Sequence, residues 1–137
     1  MRCKINSGKE THMLTPKQIM EVLVKVLDSK KARDICVLKT DEITILADYF
    51  IICTANSTTH IKTLADEASK SMAEKDEPPL RTEGVRSGGW VLIDFASVVL
   101  HIFLDETRKF YDLERLWSDA ARVDISELIQ SEPDTKA

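Results

Sequence analysis

Apolar residues recur along this chain in two rhythms. Ile19, Met20, Leu23, Val26 and Leu27 follow the three-to-four spacing of one helix face. Thr15-Pro16 stands just before them, a threonine cap followed by proline at the first helical position, where its missing N–H is not needed. Lys30-Lys31 suits the negative end of the helix dipole, so the spacing predicts a helix from Pro16 to about Lys30. Ile61, Leu64, Ala65, Ala68 and Met72 form a second such stripe, capped by Asn56-Ser57 and ending near Asp76. Pro78-Pro79 forbids its continuation.

The other rhythm is that of strands. Ile35–Leu38 is a short apolar run, followed by a connector from Asp41 to Asp48. Tyr49–Thr54 is a continuous apolar strand of the kind covered on both faces. A turn-rich loop from Glu83 to Gly89 leads into two long strands, 90–95 and 98–104. If Ala96-Ser97 is a two-residue turn, Phe95 faces Val98 and the register is set. Val91, Ile93, Phe95, Val98, Leu100 and Ile102 then share an all-apolar face that packs on the two helices. Trp90, Leu92, Asp94, Val99, His101 and Phe103 share the other, with Trp90 opposite Phe103 and Leu92 opposite His101. This mixed face reads as exposed or covered by a partner. Asp105–Lys109 is expected as a short turn, Tyr111–Trp117 as a short helix, and everything from 122 to 137 as a polar tail. The order predicts an α/β fold: a small mixed β-sheet with packed helices, in one domain and without internal repeats.

Composition narrows the partners. Nineteen Lys and Arg against 23 Asp and Glu leave a net charge of −4 over 137 residues. Such a chain suits a basic protein partner better than nucleic acid, which requires a basic footprint. No run reaches the roughly 18 apolar residues of a membrane span, and the longest candidate, 90–104, is broken by Asp94 and His101. Residues 1–12 are polar, and the His12-Met13 junction resembles a cloning scar. We read 1–12 as vector-derived or disordered, without a secretory leader, and place the domain at 13–121. Cys3, Cys36 and Cys53 form no C-x-x-C pair; Cys36 and Cys53 lie in apolar runs as small hydrophobes, which fits a reducing cytoplasm.

Enzyme signatures are absent: no P-loop, G-x-G-x-x-G, G-x-S-x-G or H-E-x-x-H occurs. Asp94 on a strand is a candidate metal ligand, but the positions two away are Leu92 and Ala96, and a two-metal site needs converging carboxylates. We read Asp94 as a hydrogen-bonded structural carboxylate, with a diagonal approach to His101 open to it. His60 at a helix start reads as part of a cap rather than an anion site. No metal and no cofactor is expected. The segment 103–117 holds four of the eight aromatic residues beside Arg108 and Arg115. Tyr, Trp and Arg dominate protein–protein hot spots. The plainer reading, a helix closing the core through Leu113, Leu116 and Trp117, explains less of this composition.

Four blocks resemble the ribosomal silencing factor, or Iojap-like, family. They are Ala47–Cys53; Ser57–Ile61 with Ala65-Asp66; Glu83-Gly84 with Trp90–Phe95; and Val99–Phe103 with Arg108–Trp117. The similarity runs from about Pro16 to Ala121, and Arg-x-x-Tyr-x-Leu-Glu-x-Leu-Trp is its most specific part. The chain departs from the family at Ala96-Ser97, where Gly-Asp is usual, and at Ala55-Asn56, where a glycine is usual. The resemblance implies a nucleotidyltransferase-like fold without a catalytic site, in a cytoplasmic protein that often forms homodimers. It implies binding to the large ribosomal subunit through ribosomal protein uL14, which blocks subunit joining and lowers translation when nutrients are short. Trp90 and Tyr111 match signature positions and are expected as anchors, with Arg108, Glu114 and Trp117 supporting them and His101 and Asp94 on the same face. Two competing readings are an active nucleotidyltransferase using Asp94 and the Ser57 helix start, and an adaptor with another partner.

Overall fold

The computed structural model describes residues 14–42, 44, 47–84 and 89–129; the segment 1–12 lies outside them. Helix α1 (Pro16–Ser29) begins with a full capping box. Thr15 accepts from the Gln18 N–H at 3.1 Å, and the Thr15 N–H donates back to the Gln18 side chain at 2.9 Å. Strands β1 (Arg33–Lys39) and β2 (Tyr49–Ala55) follow, then α2 (Thr58–Ala73), capped by Ser57. After these come β3 (Arg81–Glu83), β4 (Trp90–Asp94), β5 (Val98–Leu104), α3 (Asp105–Tyr111), α4 (Leu113–Leu116) and β6 (Ala121–Arg122). The strands form one mixed sheet in the order β3-β4-β5-β2-β1-β6. Among the described residues only the central β2–β5 pair is parallel.

The two faces of the sheet are covered differently. Helices α1 and α2 lay Leu23, Leu27, Leu64, Ala68 and Met72 on Val37, Ile51, Cys53, Ile93, Leu100 and Ile102, the main core. A second, smaller cluster on the opposite face joins Cys36, Leu38, Phe50, Ile52 and Phe103 to Leu113 and Trp117. The hairpin register is the expected one: Trp90 pairs with Phe103, Leu92 with His101 and Ile93 with Leu100. The unusual Ala96-Ser97 turn is held by Asp94, whose carboxylate accepts the Ala96 N–H at 2.8 Å while Ala96 sits at φ +75°. That local bond offsets the strain of a left-handed alanine.

Three expectations change. Residues 105–109 are not a turn but the body of α3, with Asp105 and Glu106 in its first turn and Arg108 and Lys109 in its last, as the helix dipole favours. The helix expected over 111–117 is broken at Asp112, which adopts φ +49°; Tyr111 therefore closes α3 rather than opening the next helix. Aspartate tolerates this left-handed conformation better than most residues. The segment expected as a polar tail from 122 packs on the fold over its first part. β6 pairs with β1, the Val123 N–H donates to the Val37 carbonyl at 2.9 Å, and Ile125 joins the main core. Strand β3 is an addition: its polar residues carry no strand rhythm, and pairing with β4 alone defines it.

Candidate functional site

The mixed face of the β4–β5 hairpin carries a run of rings. Trp90 stacks on Phe103, centroids 5.2 Å apart, and on His101 at 5.9 Å, and Tyr111 lies tilted against it at 4.7 Å. Phe50 meets Trp117 edge-on at 5.0 Å and His101 at 5.3 Å. Face-wide exposure, one of the two expected states, does not hold. Phe103 is fully buried and His101 is 5% exposed, because the segment after β5 folds back over them. What stays outside is the rim: Trp90 is half-buried, Tyr111 is 47% exposed and Phe110, edge-on to Tyr111 at 5.1 Å, is 81% exposed.

Beside this rim lies a trough of about 450 Å³ lined by Glu83, Gly84, Gly89, Trp90, Leu92, Thr107 and Tyr111. Its wall depends on Gly84, at φ +87°, where an added Cβ would stand 2.2 Å from the Trp90 carbonyl oxygen.

Arg108 fixes the ring-bearing helix to the sheet. Its guanidinium grips the Glu114 carboxylate with two bonds, 3.1 and 2.7 Å, a fork geometry lysine cannot copy. Its remaining terminal nitrogen donates to the Asp34 carbonyl at 2.7 Å and to the Thr54 hydroxyl at 2.8 Å. One side chain thus ties α3, α4, β1 and β2. Hydrogen bonds from Arg108 hold the Glu114 carboxyl below the usual carboxylate range. Burial raises the Cys36 thiol and pushes Cys53 up to about 12, so neither is a ready thiolate.

The remaining sequence candidates separate. Asp94 points to the hairpin turn and to Arg81, at 3.5 Å, and its bonds there are those of a structural carboxylate. Its diagonal approach to His101 is not used: the His101 bond goes instead to the Trp90 indole, whose Nε1–H donates to His101 Nδ1 at 3.2 Å. His60 is a clasp between helices, accepting the Asn56 N–H at Nδ1 (2.9 Å) and bonding the Lys30 carbonyl through Nε2 (2.8 Å). Trp117 lies half-buried against Phe50. Phe110 was not singled out by sequence. Its signal was the acidic start and basic end of 105–109, which marks a helix and turns Phe110 away from the sheet. Among the described residues no group of three or more His, Cys, Asp or Glu could hold a metal ion, and no helix is long and apolar enough to cross a membrane.

Burial lowers His101 to about 4. Between that value and the ordinary 6.5 the unfolded chain binds a proton that the folded one refuses, so stability rises with pH across this window. We expect unfolding free energy to drop by about 2 kcal/mol from about pH 7 to pH 5. Carboxylates such as Glu114 act below that range. Denaturant titrations at the two pH values check this; a His101→Leu variant that keeps the full slope would contradict it.

Fold and site together define a class: a small α/β domain whose sheet buries one face under two helices and offers an aromatic rim at the edge of the other. The family model described as "Ribosomal silencing factor during starvation" matches residues 13–137. The chain is 34% identical over 116 residues to the ribosomal silencing factor RsfS of Halalkalibacterium halodurans, covering 85% of this chain and 99% of that one. With the Bacillus subtilis protein of the same name it shares 35% over 112 residues, 82% and 95% of the two chains. A mouse protein named mitochondrial assembly of ribosomal large subunit protein 1 is 34% identical over 102 residues, 72% of this chain and 45% of its own length. A crystal structure from Chromobacterium violaceum superposes with a TM-score of 0.75 at 32% identity, covering 77% of this chain and 88% of that one. This chain belongs to the ribosomal silencing factor family.

Proposed function

We propose that this protein binds the large ribosomal subunit through ribosomal protein uL14 and, by occupying the joining face, keeps the small subunit away and lowers translation under nutrient limitation. Family membership supports the ribosome-associated silencing role, and the name of the mouse relative supports the large subunit. The observation that carries the reading is the aromatic rim. Trp90, Tyr111 and the added Phe110 stand exposed or half-exposed on a frame held by the Arg108–Glu114 fork. Such rims, with an arginine nearby, are the chemistry of hot spots. Trp90 and Tyr111 are the anchors; Arg108, Glu114 and Trp117 hold them in place, and His101 and Asp94 act from beneath and beside them. A net charge of −4 favours a basic ribosomal protein over RNA as the direct contact. The action is steric, in the cytoplasm, and homodimers are part of the proposal.

Added in excess to purified subunits without nucleotide, the protein should shift the sedimentation profile away from joined ribosomes and comigrate with the large subunit. Comigration with the small subunit alone would sink the proposal. No metal-dependent nucleotide transfer is expected, since Asp94 is spent on its turn and a two-metal site needs converging carboxylates. Steady turnover of a nucleoside triphosphate that vanishes in Asp94→Asn would overturn this.

A further inference from the structure

His101 is an odd occupant of its place. It is 5% exposed on β5, between fully buried Leu100, Ile102 and Phe103. An apolar side chain would satisfy that environment without any hydrogen bond. The Trp90 indole N–H donates to His101 Nδ1 at 3.2 Å, and an indole N–H can only donate. Nδ1 therefore carries the lone pair and Nε2 carries the proton. That Nε2 is buried and, among the described residues, has no hydrogen-bond partner. An unpaired buried donor costs more than a single neutral hydrogen bond returns, so for stability alone this histidine is a poor choice. Its burial holds the ring neutral at physiological pH, which keeps Nδ1 free to accept.

What the histidine contributes is orientation. Trp90 packs on His101, Phe103 and Tyr111, three rings that hold an indole by stacking but do not select its rotation within the stack. The bond to Nδ1 is directional and does select it. The same indole lines the trough that opens beside Tyr111. Rings that are locked before contact lose less freedom on binding.

We propose that His101 is a positioning residue: from beneath the rim it locks the Trp90 indole, through Nε1–H to Nδ1, in the orientation that meets the partner, and it does not touch the partner itself. The inference rests on the reading of Trp90 as a ribosome-binding anchor, and it assigns His101 an indirect role within that site.

Four full-length proteins test it: wild type, Trp90→Ala, His101→Leu and His101→Asn. The asparagine variant places an amide oxygen near the position of Nδ1. Three quantities are measured on each: thermal melting, binding to purified large subunits, and, where Trp90 is present, solvent exchange of its indole N–H by NMR. In His101→Leu the melt should hold or rise, the indole N–H should exchange faster, and subunit binding should weaken about tenfold. His101→Asn should recover slow exchange and most of the binding. If Trp90→Ala loses binding while His101→Leu binds like wild type, the positioning role is wrong and the anchor reading stands. Full binding by Trp90→Ala overturns both. Weakened binding in His101→Leu that follows a lowered melt, with no rescue by His101→Asn, marks a packing role and also overturns the proposal.

Discussion

Tyr111→Ala should lower affinity for the large ribosomal subunit about thirtyfold and leave the thermal melt nearly unchanged. The estimate follows from an aromatic anchor's typical loss of about 2 kcal/mol or more on truncation. The unchanged melt follows from position. Tyr111 closes α3, is 47% exposed, and belongs to a helix in which no described side chain is buried. Surface substitutions of this kind usually stay within about 0.5 kcal/mol. Trp90→Ala should lose binding by a similar factor but also melt lower. Its half-buried ring stacks on Phe103 and His101 and donates a hydrogen bond, so it is partly a packing residue. Tyr111 is therefore the cleaner test of the rim. Binding curves and melts on both variants decide it: full binding by Tyr111→Ala, or loss only in step with unfolding, defeats the anchor reading.

Arg108→Ala should cost about 3 kcal/mol of stability. The side chain is 12% exposed and supplies four hydrogen bonds to three parts of the chain. Removing it leaves the Glu114 carboxylate, 23% exposed, to the looser ion pair with Arg122 at 3.9 Å, and leaves the buried Thr54 hydroxyl without this donor. For a domain of this size the melt should fall by roughly 10 °C. Arg108→Lys should restore only part of the loss, because an ammonium cannot grip a carboxylate and reach two further acceptors at once. Subunit binding should fall too, since α3 carries Tyr111 and α4 runs directly into Trp117. A melt within a degree or two of wild type would show that the fork contributes nothing net, as many exposed ion pairs do.

Much of this fold was legible because its rules are local. Helices α1 and α2 announce themselves by period and cap: Thr15, Pro16 and Ser57 sit where free N–H groups need oxygen acceptors or no donor at all. The hairpin register follows from parity, since a strand's side chains alternate and one face must be apolar; Trp90 opposite Phe103 was readable from that alone. The Arg-x-x-Tyr-x-Leu-Glu-x-Leu-Trp block carries the family resemblance in the sequence alone.

Tertiary structure decided what each of those residues does. Periodicity could not show that the polypeptide after β5 folds back over its own mixed face, because that path turns on Asp112 at φ +49°. Nor could it bring Arg108 to an acceptor 74 residues away at Asp34 and another 54 away at Thr54. Such contacts depend on strand order, and the order β5-β2-β1 places those acceptors beside the start of α3. β3 and β6 exist only through pairing with a neighbour, so their sequences carry no rhythm of their own. The same folding-back buries His101 and Phe103 while leaving Phe110 and Tyr111 in solvent. Sequence set which residues share a face; only the packing of α3 and α4 determined which part of that face is core and which part a partner can touch.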